Sequence, residues 1–169
     1  LKPFLNPKTT LEAQGWDAYA ARYAELASEG SIYALTKRLM HAMVQMHTAH
    51  FDSPLKVLDV NCGTGNDFPY FLERGWQVIG TDGSEGMLAR AAQQYRPELE
   101  AGNIHLYSGL LEEWQAGDLP DHSFDLIFSV TGGFSYIDDS ELLRINAVLQ
   151  RLLKPDGRLI VANLNSFCF

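Results

Sequence analysis

From residue 55 onward, short apolar runs alternate with stretches of helical period, and this alternation constrains the fold more than any other feature. The runs are LKVLDV (55–60), WQVIGTD (76–82), NIHLYS (103–108), FDLIFSV (124–130) and GRLIVANL (157–164), the last entered by a KPDG turn. They have strand length and are apolar on both faces. Between them, DFPYFLER (67–74), SEGMLARAAQQY (84–95) and DDSELLRINAVLQRLL (138–153) carry apolar residues at helical spacing. In the second, Met87, Leu88, Ala91, Ala92 and Tyr95 form the face to be buried, with Ser84 as N-cap and Arg96-Pro97 as terminator. Strands that alternate with helices predict a parallel sheet covered on both faces. The expectation is an α/β, Rossmann-like doubly wound sheet of five mainly parallel strands. Residues 9–50 read as helical, with Ile32, Leu35, Leu39, Met43 and Met46 on one apolar stripe. We therefore expect residues 1–50 to form an N-terminal helical cap on a 51–169 Rossmann-like core, together one structural domain.

In such sheets ligands bind beyond the carboxyl ends of the strands, where strand order reverses. The first strand runs there into Asn61, Cys62, Gly63, Thr64 and Gly65. Gly63 and Gly65 let the backbone approach a ligand, and a following helix would aim its free N–H groups at the same place. Asp82 ends the second strand, about twenty residues on, where an acid can accept two hydrogen bonds from a ribose diol. Turn and acid together predict a nucleoside-bearing cofactor. A dinucleotide fingerprint would need a third glycine, where Phe68 stands, and Asn66 and Asp67 put acceptors where a pyrophosphate would lie. No phosphate-binding G-K-[ST] follows. A zwitterionic amino-acid tail fits better, with its carboxylate on backbone N–H groups and its ammonium on Asp59 or a turn carbonyl.

VLDVNCGTGND (57–67) resembles the first motif of class I S-adenosylmethionine-dependent methyltransferases, and VIGTDGSEGMLARA (78–91) their second. SFDLIFSVTGGFSYI (123–137) and LLKPDGRLIVANLNS (152–166) are similar to their fourth- and fifth-strand motifs. The likeness covers roughly residues 16–169, with the texture of small-molecule enzymes and a distant likeness to glycine N-methyltransferases. It implies S-adenosyl-L-methionine as cofactor and S-adenosyl-L-homocysteine as product. It further implies that Asp59, Gly63 and Gly65 hold the methionine part, with Asn61 among the cofactor-binding residues, and that Asp82 holds the ribose. Gly83, Met87, Leu110 and Leu111 would lie around adenine. Ser129, Val130 and Thr131 would lie under the sulfonium, and Tyr23 in the lid. Ser135 and Tyr136, in GGFSY after the fourth strand, are candidates for substrate contact. Three departures stand out. Asn61 replaces a usual glycine and must adopt the turn geometry. The usual Asp after the third strand is missing, with neither Ser108 nor Glu112 favoured in its place. The family's final antiparallel hairpin is absent from this chain, as in a truncated, naturally short or fragmentary protein, leaving a sheet edge open to homodimerisation.

The implied activity is methyl transfer to a small-molecule acceptor by in-line displacement. A neutral thioether leaves, so alignment carries much of the catalysis and no catalytic residue is assigned. Nucleobase amino-methylases carry an Asn/Asp-Pro-Pro-aromatic motif where this chain has SVTGG. Metal-dependent catechol-type enzymes need acids where Ser129 and Asn163 stand. A net charge of -8 with scattered basic residues argues against nucleic acid as partner. No apolar run predicts a membrane span, LKPFLNPKTT is no signal peptide, and two cysteines make no disulfide framework, so the expected compartment is the cytoplasm. No Cys/His cluster has metal spacing. Cys62 reads as a packed thiol, His41, His47 and His50 as the polar face of a helix, and His105 as a core residue. Alternative readings are a catalytically incomplete S-adenosylmethionine-binding module, a nucleotide-dependent oxidoreductase and, behind both, an aminopropyl transferase.

Overall fold

The computed structural model describes residues 15–17, 32–52, 54–110, 113–115, 117–130, 134, 137 and 139–163. The apolar runs become strands β1 Lys56–Val60, β2 Gln77–Asp82, β3 Ile104–Ser108, β4 Phe124–Ser129 and β5 Leu153–Val161. The helices are α1 Ile32–Thr48, α2 Phe68–Leu72, α3 Glu85–Gln94, α4 Arg96–Glu100 and α5 Asp139–Leu152. The strands form one sheet in the order β3-β2-β1-β4-β5, and every pairing is parallel. The chain leaves β1 for β2 and β3 on one side, then returns to add β4 and β5 on the other. The topological switch point therefore lies between β1 and β4.

Alternate residues of each strand feed opposite cores, which is why the runs are apolar throughout. Val57, Val78, Ile104, Leu126 and Phe128 pack under Phe68, Phe71, Tyr95, Met40 and Val44. Leu58, Val60, Ile79 and Ile127 pack on the other face with Trp114, Ile145, Leu149 and Leu152.

Three local expectations change. The stripe on α1 faces outward, with Leu35, Leu39, Met43 and Met46 exposed and Met40 and Val44 buried. The helix turns this way because Lys37 and His41, on the face of Met40 and Val44, reach residues 66 and 67. The helix predicted over 84–95 ends where expected: α3 closes at Gln94 with Tyr95 as its cap, and Arg96-Pro97 opens the separate α4, where the missing N–H of Pro97 costs nothing. KPDG lies inside β5, with Phe124 opposite Leu153 and Leu126 opposite Arg158. The ladder bulges around it, and its residues are absorbed without breaking the strand. His105 is exposed rather than buried, because β3 is the sheet's edge.

Candidate functional site

The turn after β1 uses three left-handed residues in alternation, Asn61 at φ 57°, Gly63 at φ 57° and Gly65 at φ 77°. Asn61 thus adopts the geometry expected of it; Asn enters this region more readily than most side chains. At Gly65 a Cβ would meet Phe68 Cδ2 at 2.5 Å and Tyr95 Cε2 at 2.9 Å. The side chain is missing there for Phe68 and Tyr95 as well as for backbone conformation. The following helix α2 spans five residues and has no side-chain cap. Its Phe68 N–H donates to Gly65 O, Gly65 N–H to Cys62 O and Gly63 N–H to Asp82 Oδ2. A long helix with free N–H groups aimed at a ligand is therefore not what this turn supplies.

It supplies instead a set of oriented and unpaired polar groups. Asp82, at the end of β2, accepts from Gly63 N–H through Oδ2 and from Ser84 N–H through Oδ1, both at 2.8 Å. Each oxygen retains a second lone pair, so the carboxylate is fixed in plane and can still accept two more bonds. Burial raises its pKa, the two N–H bonds oppose that, and Asp17 adds to the rise. Asp59 of β1 is 3% exposed. Its Oδ2, Ser129 Oγ at the end of β4 and Asn66 Nδ2 are buried without a hydrogen-bond partner. Burial, then the charges of Asp67 and Asp82, hold the Asp59 carboxyl well above the ordinary aspartate range, against a lowering by Lys37. Two of these orphaned atoms belong to β1 and β4, the strands that flank the switch point. Buried polar atoms are normally paired, so these groups are candidates to bind a ligand or an ordered water.

Of the residues expected at the site, the fold brings Asp59, Asn61, Gly63, Gly65, Asp82, Gly83, Ser129 and Val130 to the carboxyl edge of β1, β2 and β4. Leu110 packs on Gly83, where a Cβ would meet Leu110 Cδ2 at 2.3 Å. Leu110 also lines a cavity of about 400 Å³ along β3 with Thr81, Tyr107 and Trp114. Met87 is buried in the first turn of α3. Tyr23, Leu111, Thr131, Ser135 and Tyr136 lie outside the described residues. Cys62 packs against Gly80, and burial followed by the charges of Asp59 and Asp82 pushes its thiol up, as suits a packed thiol.

Residues of the N-terminal helices also reach the site, which the sequence reading missed. His41 Nε2 lies 2.7 Å from Asp67 Oδ1, its ring stacks on Tyr70 at 3.8 Å, and Tyr70 Oη donates to His41 O. Lys37 Nζ donates to Asn66 O and stands 3.8 Å from Asp67 Oδ1. The signal was present as Lys37, Met40, His41 and Val44 at helical spacing. Asp67 is 7% exposed, so His41→Ala leaves a buried carboxylate short of a partner. We expect it to cost about 1–3 kcal/mol in urea unfolding, whereas His47→Ala, on the outer part of α1, should change stability by less than about 0.5 kcal/mol.

A family profile described as methyltransferase domain matches residues 57–157. The chain is 32% identical over 164 residues to the ubiquinone/menaquinone biosynthesis C-methyltransferase UbiE of Cellvibrio japonicus, covering 93% of this chain and 61% of that protein. The chain spans between 36% and 61% of the length of the curated relatives it matches. Its fold superposes on a TehB-like SAM-dependent methyltransferase from Corynebacterium glutamicum with TM-score 0.65 and 27% identity, covering 88% of this chain and 72% of that one. The [4+2]-cyclase SpnF gives TM-score 0.72 at 22% identity, over 96% of this chain and 62% of that one, a likeness of fold alone. The first-strand turn, the acid of β2, the β4 segment and the start of β5 lie within the span the profile matches, and the chain belongs to the class I S-adenosylmethionine-dependent methyltransferase family.

Proposed function

We propose that this chain binds S-adenosyl-L-methionine at the β1–β4 switch point and serves methyl transfer to a small-molecule acceptor. The observation that carries the reading is the set of orphaned buried atoms, Asp59 Oδ2, Ser129 Oγ and Asn66 Nδ2, beside an Asp82 carboxylate held by two N–H groups. These fit a ligand with a ribose diol and an amino-acid tail. Asp82 would accept from the ribose hydroxyls. Asp59 would accept from the ammonium, which restores the counter-charge that burial denies it. Gly83, Met87, Leu110 and Leu111 would border adenine, and Ser129, Val130 and Thr131 the sulfonium side. Bound there, the cofactor supplies an electrophilic methyl carbon with a neutral leaving group. The protein's part is then to align an acceptor in line with that carbon and to exclude water, and no acid is required. Residues 1–50 serve as a lid, an assignment supported by the contacts of Lys37, His41 and Asp17 with both turns of the site. Ser135 and Tyr136 are proposed to touch the acceptor. UbiE, a C-methyltransferase by name, favours a small organic acceptor.

The second reading is a cofactor-binding module without turnover, since fold alone does not fix a reaction. Equilibrium dialysis with S-adenosylhomocysteine and with NADH tests the cofactor. Retention of the first and not the second supports the proposal, and the reverse overturns it. Formation of S-adenosylhomocysteine from S-adenosylmethionine with a panel of phenols, quinols and amines then separates an enzyme from a binding module.

A further inference from the structure

We propose that Asp17, in the helical stretch 15–17, is a positioning residue for Asp82 and thereby sets cofactor affinity, an inference that rests on the ribose role proposed for Asp82. Asp17 Oδ1 accepts from Gly86 N–H at 2.8 Å and from the Ser84 hydroxyl. Ser84 is 1% exposed. Its Oγ in turn accepts from Met87 N–H, and its own N–H donates to Asp82 Oδ1. Asp82 Oδ2 accepts from Gly63 N–H. One hydrogen-bonded chain therefore runs from Asp17 through Ser84 and Asp82 to the first-strand turn. With Asp17 accepting its proton, the Ser84 hydroxyl has one orientation, and that orientation leaves a lone pair for Met87 and fixes the start of α3. The N–H that aims the Asp82 carboxylate belongs to that same residue.

An independent observation supports the contact. A Cβ on Gly86 would lie 2.9 Å from Asp17 Oδ1 and 3.2 Å from Asp17 Cα. Position 86 is bare on the side where Asp17 arrives, although a glycine in the first turn of a helix weakens that helix. The link spans 67 residues to Ser84 and 69 to Gly86, so it ties the lid to the ribose edge rather than serving local structure. It acts through acceptor geometry, since both bonds use one oxygen that an asparagine also carries.

The test has a ligand-independent arm and a binding arm. In amide hydrogen exchange without ligand, Asp17→Ala should lose protection at Gly86, Ser84 and Gly63, and Asp17→Asn should keep it. Protection lost at Gly86 alone would overturn the relay. In titrations with S-adenosylhomocysteine, Asp17→Ala should bind about five- to tenfold more weakly than wild type, the loss expected of one mispositioned hydrogen-bond acceptor, and Asp17→Asn within twofold. Gly86→Ala should reproduce the Asp17→Ala loss. In an Asp82→Asn background, Asp17→Ala should change affinity by less than twofold, because coupled residues are not additive. Equal losses in both backgrounds, or none in either, would overturn the proposal. A folded wild type that keeps the exchange pattern yet binds no S-adenosylhomocysteine would overturn the ribose reading and with it the effect on affinity, while leaving the relay itself measured.

Discussion

Gly65→Ala is expected to destabilise the protein by about 2–5 kcal/mol. Two costs combine. A non-glycine residue at φ 77° carries backbone strain of about 1–2 kcal/mol. The new methyl would also overlap Phe68 and Tyr95, at 2.5 and 2.9 Å, in a core where overpacking costs about 1–3 kcal/mol. Phe68 is fully buried and also covers Gly80, where a Cβ would meet its Cζ at 2.6 Å, so the ring has no free direction in which to move. For a chain of this size the loss corresponds to a fall in Tm of roughly 4–20 °C. Asn61→Gly, which relaxes the same backbone conformation without a clash, should leave Tm unchanged or raise it slightly. Thermal unfolding of both variants checks this. Equal stability of Gly65→Ala and wild type would mean that the turn is held by something other than the packing described above.

Asp59→Asn should have the opposite sign in stability and should weaken cofactor binding. The Asp59 carboxyl is buried, unpaired at Oδ2 and close to two other carboxylates, so its charged form is disfavoured in the folded protein. Its folded pKa is raised above the unfolded one, and the folded state then binds the proton more tightly. Its contribution is therefore neutral below the ordinary aspartate range, near pH 4. It becomes destabilising as pH rises from there to the raised folded value, and is constant above it. Asp82 has the same direction. Asp59→Asn removes the charge and should stabilise the ligand-free protein at pH 7 by at least about 1 kcal/mol, raising Tm by about 2–4 °C. The gain should shrink as pH is lowered toward 4. The same variant loses the counter-charge for an ammonium, a bond to a charged group worth about 1.5–3 kcal/mol, so S-adenosylhomocysteine affinity should fall by about 10- to 100-fold. A stabilised protein that binds less well is the signature of a residue kept for function. Unfolding scans at pH 5 and pH 7 with parallel titrations test it; lower stability of Asp59→Asn at pH 7 would contradict the account.

The sheet was legible because each strand feeds two cores and so reads as a continuous apolar run, and because Asp82 follows the glycine turn at the spacing a parallel β1–β2 pair imposes. Asn61 was legible as well, since few other side chains enter the left-handed region. The facing of α1 was not. Its stripe of Leu35, Leu39, Met43 and Met46 outweighs Met40 and Val44 by hydrophobicity. The orientation is decided by Lys37 and His41 meeting Asn66 and Asp67, 26 to 29 residues away, and no local period records such a contact. Asp17 was hidden for the same reason, and Ser84 was seen only as the cap of its own helix. KPDG was read as a turn because Pro, Asp and Gly are turn residues, whereas the ladder between β4 and β5 absorbs it as a bulge. The reason for Gly65 was legible only in part, since backbone freedom is written in the residue type and the ring of Phe68 is not.

The central claim is that Asp82 holds the ribose of an S-adenosyl cofactor, and calorimetric titration of S-adenosylhomocysteine into wild type and Asp82→Ala tests it most directly, with Tm measured on both. The account predicts clear binding by the wild type and a loss of about a hundredfold or more in the variant, as two hydrogen bonds to a charged group disappear. Unchanged affinity in a folded Asp82→Ala protein, or no binding by folded wild type, would contradict it.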